Sequence, residues 1–279
     1  MKAETKLALK RKIPGRLYKA MVSLYRRLVW IKTKILMVLV PDKMKYYCPC
    51  CGLKLKGFVE GDYKAQPGFY DITLFEKTRQ DVQCPCCSSL PRHRILALWC
   101  SAHKDVLDGK NILYFAPENG MVRWLRSNRI RYQTADLFDP DADLKLDIQA
   151  TGLPDDSYDV IICNHVLEHA SDYKTALNEL KRILRPEGTL ICSFPVSPDV
   201  ELLTEDPDVK DDAGRLERYG QSDHVRLFGM KAEKLIEEQG FDVSFIDGRD
   251  YPDETVPVTG PSLYDINRLY LCRIRKGEK

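Results

Sequence analysis

Two cysteine turns and a histidine-bearing second half hold the residues of this chain that could do chemistry. Cys48-Pro49-Cys50-Cys51-Gly52 and Cys84-Pro85-Cys86-Cys87-Ser88 each supply a C-x-x-C pair. Two such pairs provide the four soft thiolates that tetrahedral zinc prefers. The spacing assigns Cys48, Cys51, Cys84 and Cys87 as ligands. Cys50 and Cys86 take the middle positions, where a knuckle presents backbone N–H groups to sulfur. Disulfides compete with this reading. No secretory signal is apparent, however, and Cys163 inside an apolar run suits a reducing cytosol. A redox role is disfavoured because neither pair opens a helix after a strand. The expected zinc is structural, since a segment this small cannot bury enough apolar surface unaided.

The second constellation is His165, Glu168 and His169 in one stretch and Asp223-His224-Val225-Arg226 in another. Imidazole titrates near neutral pH, so each histidine is a candidate base for an acceptor that arrives protonated. His165, Glu168 and His169 have an alternative role in shaping a strand tip and orienting the helix after it. The second string packs an acid, an imidazole and a guanidinium into four positions of a loop. Substrate contact by Asp223, His224 or Arg226 and a salt-linked structural loop are the two readings there.

The elements that must position these residues are legible as α/β. Val160 to Cys163 is a short apolar run after Asp155-Asp156-Ser157, as in a strand buried on both faces. The chain turns polar at Asn164 and His165, where open α/β sheets place ligands. Ala176, Leu177, Leu180, Ile183 and Leu184 recur at helical spacing; Pro186-Glu187-Gly188 stops that helix, and Thr189 to Phe194 resumes strand character. Upstream, Ile112 to Phe115 reads as a strand, Met121 to Ser127 as a helix, and Arg131 to Ala135 as a strand ending at Asp136. An acidic residue at that place accepts hydrogen bonds from ribose hydroxyls in nucleotide-binding sheets. A solvated loop is the bland alternative, because Asp139, Asp141 and Asp143 follow. A linking helix is expected over Ile95 to Val106, a lid or insertion over Glu201 to Arg218, a helix over Met230 to Gln239, and strands over Phe241 to Ile246 and Leu269 to Arg275.

In Tyr158-Asp159, Val160 to Cys163, His165 to His169 and Leu184 to Gly188 the chain resembles the class I S-adenosylmethionine-dependent methyltransferases. There the order aspartate, apolar strand, H-x-L-E-H, helix, L-x-P-G-G, strand is common. Glu187 replaces the first glycine of the pair. The resemblance runs from about Asn111 to Lys276. It implies a Rossmann-like sheet of seven strands in the order 3-2-1-4-5-7-6. It also implies S-adenosylmethionine held by Ala116, Pro117, Glu118, Gly120, Asp136, Asp147, Ile148, Asn164 and His165. Ala116-Pro117-Glu118-Asn119-Gly120 stands where the family has a glycine-rich loop, and Tyr114 where an acidic residue is usual. Leu144 to Ile148 resembles the third strand, whose terminal aspartate approaches adenine. Ala116-Pro117-Glu118 resembles a variant of a little-characterised bacterial branch, as do Cys84 to Arg94, which looks like that branch's zinc module, and Tyr219 to Gly229. In the branch, the last segment lies over the acceptor pocket, which makes His224, Asp223, Arg226 and His165 the implied catalytic candidates.

Charge is strongly segregated. The first 47 residues carry thirteen Lys and Arg against two acids, a net +11, and the remainder is −9. Within that arm Leu17, Met21, Leu24, Leu28, Ile31, Ile35 and Val38 alternate spacings of four and three, one apolar stripe on a helix that Pro41 ends. Lys32 and Lys34 interrupt any run long enough to span a bilayer. An interfacial helix on anionic lipid through residues 16–40, a partner-binding helix and a helix packed on its own domain are the three readings. The expected organisation is a basic amphipathic arm at 1–45, a zinc module at 46–92 and a class I methyltransferase domain at 93–279. The expected setting is cytoplasmic, peripheral at the inner membrane face. The expected acceptor is a small molecule or a cell-surface saccharide or lipid-linked glycan precursor. RNA methylation is the rival enzyme, disfavoured by the net negative charge of the catalytic region and the lack of an evident stacking platform. A scaffold that has lost catalysis is the non-enzymatic rival.

Overall fold

A computed structural model describes residues 15–59, 82–256 and 268–278. In chain order, helix α1 (Gly15–Leu39) leads to a two-stranded hairpin, β1 (Tyr46–Cys48) and β2 (Leu53–Leu55). The long gap between the two cysteine pairs predicts a small hairpin within Phe58 to Phe75, helped by Gly61-Asp62 and Pro67-Gly68; of that stretch only Phe58 and Val59 are among the described residues, and Val59 pairs with Gln83. Helix α2 (Pro91–Ala102) starts four residues before the linking helix expected at Ile95. Proline at a first helical position loses no intrahelical bond, so Arg92, His93 and Arg94 are helical.

The main sheet follows: β3 (Ile112–Phe115), α3 (Asn119–Ser127), β4 (Gln133–Asp136), β5 (Leu144–Lys145), β6 (Tyr158–Asn164), α4 (Tyr173–Ile183) and β7 (Leu184–Ser193). After it come β8 (Val196–Ser197), β9 (Leu203–Glu205), α5 (Asp212–Tyr219), β10 (Arg226–Gly229), α6 (Glu233–Glu237), β11 (Phe241–Ile246) and β12 (Leu269–Ile274). The seven-stranded order is β5-β4-β3-β6-β7-β12-β11. β5, β4, β3, β6 and β7 are parallel, and β12 is antiparallel to both neighbours.

Strand periodicity divides the core into two faces. Leu113 and Phe115 of β3 join α4's Ala176, Leu177, Leu180 and Ile183 on one side. Ile112 and Tyr114 join α2, α3 and the cysteine hairpin on the other. The 92/93 boundary is therefore not a gap in packing: one apolar cluster runs from Cys48, Leu53 and Leu55 through Ile95, Leu96 and Trp99 to the sheet.

Several expectations are corrected. β5 stops at Lys145, because Asp147 Oδ1 accepts from Gln149 N (2.9 Å) and turns the chain. The stretch read as a lid or insertion is an insertion after β7 with its own structure: β9 is antiparallel to β10, and Asp211 caps α5 through Gly214 N. The loop Tyr219 to Gly229 ends as β10. The helix read over Met230 to Gln239 is helical only over Glu233–Glu237.

Helix α1 also packs unexpectedly. Val29, Trp30 and Met37 lie against the cysteine cluster, and buried Thr33 meets Cys86 Sγ at 3.3 Å. The seven stripe residues lie on the opposite side, each at least 42% exposed. At about 100° per residue the two faces are roughly 180° apart. The helix is thus packed on its own domain through this second face, while the stripe itself is left exposed.

Candidate functional site

The parallel ladder places the ends of three strands side by side. Phe115 pairs with Ala135 and with Cys163, so the next residues, Ala116, Asp136 and Asn164, neighbour one another across the carboxyl edge. Each step is one strand spacing of about 4.8 Å. Strand order reverses direction between β3 and β6, the place where open sheets form a ligand crevice.

Both strands end in left-handed residues that are not glycine, Ala116 at φ 45° and His165 at φ 54°. Such conformations cost on the order of 1 kcal/mol or more and persist where surrounding structure imposes them. Ala116 N donates to Ala135 O (2.9 Å) and His165 N to Ser193 O (2.7 Å), anchoring each turn to the neighbouring strand. The Ala116 turn thus adopts the backbone geometry that glycine reaches most cheaply, without the glycine.

Tyr114 was legible in the sequence only as a departure. Its hydroxyl accepts from Glu118 N (3.1 Å) and bonds the Asn164 side chain, tying the Ala116 turn to the end of β6. Ser193 Oγ donates to Asn164 Oδ1 (2.9 Å), which holds that buried amide in place. Pro117 continues the turn, half-buried. Glu118 turns toward α2: Arg92 Nη2 lies 2.6 Å from Oε1, as does His93 Nε2. Leu90 N donates to His93 Nδ1 (2.8 Å), so the ring proton sits on Nε2, aimed at Glu118. Burial alone would raise the Glu118 pKa, but Arg92 and His93 hold it well below the usual carboxylate range. The Arg92 guanidinium and the His93 imidazole therefore link the cysteine hairpin to the crevice.

Gly120 is needed for packing. A Cβ there would meet Ser89 Cβ at 3.0 Å and His93 Cβ at 3.5 Å, so its bare face lies against the second cysteine turn and α2. Asp136 Oδ1 accepts from Phe138 N (2.7 Å) and Asp139 N (2.8 Å), which shapes the loop after β4. Its Oδ2 has no hydrogen-bond partner among the described residues. Asp147 closes its own turn, and Ile148 joins the apolar core on the α4 face.

Of the four catalytic candidates, His165 and His224 are brought together with Glu168 and His169. His165 Nδ1 lies 3.2 Å from Glu168 Oε1, and the rings of His169 and His224 meet edge to face at 4.8 Å. Burial keeps His165 neutral, with its pKa well below the ordinary value. Asp223 is exposed, and its backbone carbonyl accepts from His169 Nδ1 (3.0 Å). Arg226 is a correction. Its side chain is fully buried, and its five N–H groups are taken by the carbonyls of Leu167, Ala170 and Ser171 and by Glu205. It positions the turn after β6 and has no donor left for a substrate. Glu168 was grouped with His165 and His169 in the sequence, but nothing in H-x-L-E-H says that its carboxylate is buried. It is, and neither oxygen has a hydrogen-bond partner; burial pushes its pKa up to about 8.

Away from the crevice, the Sγ atoms of Cys48, Cys51, Cys84 and Cys87 all lie within 4.8 Å of one another. Cys48 and Cys87 are 3.6 Å apart, and Cys51 and Cys84 are 3.8 Å apart. These values match the edge of about 3.8 Å of a tetrahedron with metal–sulfur bonds of about 2.3 Å, and exceed the S–S bond of about 2.05 Å. Each turn closes with a left-handed residue right after its second ligand, Gly52 at φ 69° and Ser88 at φ 61°. Hydrogen bonding to Cys48 pushes up the thiols of Cys51, Cys84 and Cys87, so four thiolates in this volume need a cation. Ser89 Oγ approaches Cys48 Sγ (3.1 Å), Cys50 Sγ donates to His93 O (3.4 Å), and Arg94 donates to the carbonyls of Val82, Ser89 and Thr255. The middle cysteines and Arg94 thus belong to the supporting shell.

Residues 102–192 match the family described as a methyltransferase domain. Over 73 residues the chain is 33% identical to the uncharacterized methyltransferase YcgJ of Bacillus subtilis, a match spanning 26% of each protein. The crystal structure of Bacillus subtilis YcgJ superposes with a TM-score of 0.41 and 16% identity over 58% of this chain and 80% of that one. The Burkholderia thailandensis 1,6-didemethyltoxoflavin-N1-methyltransferase, solved with 1,6-didemethyltoxoflavin and S-adenosylhomocysteine, gives 0.44 and 14% over 66% of this chain and 78% of that one. The stretch that matches the methyltransferase-domain family is the one that builds β3 to β7 and both turns of the crevice.

Proposed function

We propose that the protein transfers the methyl group of S-adenosylmethionine to a saccharide or lipid-linked glycan precursor at an anionic membrane surface. The observation that carries the cofactor part is the alignment of Ala116, Asp136 and Asn164 across one carboxyl edge, flanked by two left-handed turns. This edge fits an adenosyl group: Asp136 has a carboxylate oxygen to spare for ribose hydroxyls, and the Ala116 turn lets backbone come close. The cofactor supplies an already activated sulfonium methyl, which leaves the protein to orient an acceptor and, where needed, to accept its proton. His165 is held neutral for that work, and both it and His224 lie near Glu168. Isothermal calorimetry with S-adenosylhomocysteine tests the reading. Wild type should show saturable heat and Asp136→Ala at least a tenfold weaker one; no heat from wild type would favour the scaffold.

The cysteine quartet is assigned a structural zinc, on the strength of its sulfur spacing and closed shell. Metal analysis well below one zinc per chain would end that assignment.

The membrane part rests on α1. It carries Arg16, Lys19, Arg26, Arg27, Lys32 and Lys34 and no acid, and its stripe of seven apolar residues is uncovered. Among the described residues no helix is long and apolar enough to cross a membrane. A helix lying in the interface, apolar side down and cations at the headgroups, suits both facts. In co-sedimentation with vesicles containing phosphatidylserine, Leu24→Asp with Leu28→Asp should release the protein; unchanged partitioning would exclude insertion of the stripe. Transfer of labelled methyl into glycolipid or RNA fractions of a lysate would decide the acceptor class, and label in RNA would replace the glycan assignment.

A further inference from the structure

Glu168, His169 and His224 gather one carboxylate and two imidazoles so that a ligand atom from each lies within 4.8 Å of the others. This is a second donor set, built of oxygen and nitrogen instead of sulfur, on the turn after β6 and the turn before β10.

Proton placement makes the set unusual. His169 Nδ1 faces the Asp223 carbonyl at 3.0 Å, and a carbonyl can only accept, so the ring proton is on Nδ1. His169 Nε2 faces Glu168 Oε1 across 4.0 Å, too far for a direct hydrogen bond. Glu168 is 1% exposed, and neither of its oxygens has a hydrogen-bond partner. The nearest guanidinium on this turn, Arg226, spends its donors on carbonyls and Glu205. A buried carboxyl group with no hydrogen-bond partner is satisfied either by a proton or by a cation bound between it and the imidazoles.

We propose that Glu168, His169 and His224 bind a divalent transition-metal cation, zinc or manganese(II), in the crevice. Two imidazoles and one carboxylate form a donor set that such ions take with positions left open for another ligand. The Asp223 carbonyl acts as the outer partner that fixes the His169 tautomer, as metal-ligating histidines commonly require. His165, 3.2 Å from Glu168, stands beside the proposed ion. An oxygen-bearing acceptor entering the crevice would then meet a Lewis acid next to a neutral imidazole. Metal binding here does not depend on the methyl-transfer reading, and failure of either leaves the other standing.

The test is a manganese(II) titration of the full chain followed by electron paramagnetic resonance, since manganese(II) favours oxygen and nitrogen donors over the thiolate quartet. Wild type should remove about one equivalent of the free-ion signal. Glu168→Gln and His169→Gln should each weaken binding at least tenfold while keeping the metal of the cysteine quartet and the wild-type circular dichroism. His169 is on the surface, so its variant provides the measurement if Glu168→Gln misfolds. Zinc loading gives an independent count, about two per chain in wild type against one in the variants. No saturable manganese(II) binding together with a zinc count of one in wild type would overturn the proposal. So would variants that bind as well as wild type; the buried carboxyl would then be holding a proton.

Discussion

Two turns leave the same sheet edge, one after β3 and one after β6, and they solve the problem of a largely buried glutamate in opposite ways. Each opens with a left-handed residue, Ala116 or His165, and each is held by an arginine. In the first turn Arg92 goes to the carboxylate itself, with His93 beside it, and Glu118 stays ionised. In the second, Arg226 goes to the backbone carbonyls around Glu168 and leaves its carboxylate alone. Environments that drive two neighbouring carboxyl groups apart in acidity are how one crevice keeps both a fixed charge and a group able to exchange a proton or take a cation. The first turn is wired to the cysteine hairpin as structure, and the second is kept available.

Arg226→Ala should break this arrangement most severely. It strips donors from three carbonyls and from Glu205, and should cost on the order of 3 kcal/mol or more in a urea melt. A loss below about 1 kcal/mol would mean that the second turn holds itself together.

Glu118→Gln should cost less, about 1–3 kcal/mol at pH 7, because Arg92 and His93 keep an acceptor but lose its charge. Its pH dependence has a definite sign. A carboxylate whose folded pKa is depressed contributes stability above its ordinary value of 4.5 and loses it as pH falls. Wild type and Glu118→Gln should therefore begin to converge in stability below about pH 5 and go on converging as pH falls toward the depressed folded value. A gap that stays constant over that range would show that Arg92 and His93 do not act through charge.

The smallest effect belongs to Glu168→Gln. In buffer stripped of free divalent ions its stability should lie within about 1 kcal/mol of wild type, since no hydrogen bond to the carboxyl is lost. A loss as large as that of Glu118→Gln would put the two turns in one class.

Much of the architecture was readable in advance because it follows from local pattern. The strand-helix-strand unit from Tyr158 to Ser193 and the end of β4 at Asp136 came from apolar periodicity and turn residues. The cysteine quartet came from spacing, because a C-x-x-C turn already brings its own two sulfurs together and only the pairing of turns remains. Other features depended on partners far away in the chain. Glycine at 120 was legible as part of a turn, but its packing against Ser89 and His93 was not. Arg226 looked like an active-site cation until its carbonyl partners some 55 to 59 positions upstream were seen.

Taken alone, the order of residues determined where strands and helices form, which four sulfurs lie in reach of one another, and that one edge of α1 is basic and apolar. Tertiary structure decided which apolar face of α1 is covered, because Thr33 and Trp30 fit the cysteine hairpin and the seven-residue stripe does not meet it. It also decided which glutamate is charged. That depends on whether a cation reaches the carboxylate, and Arg92 and Arg226 arrive from opposite directions that no local pattern encodes.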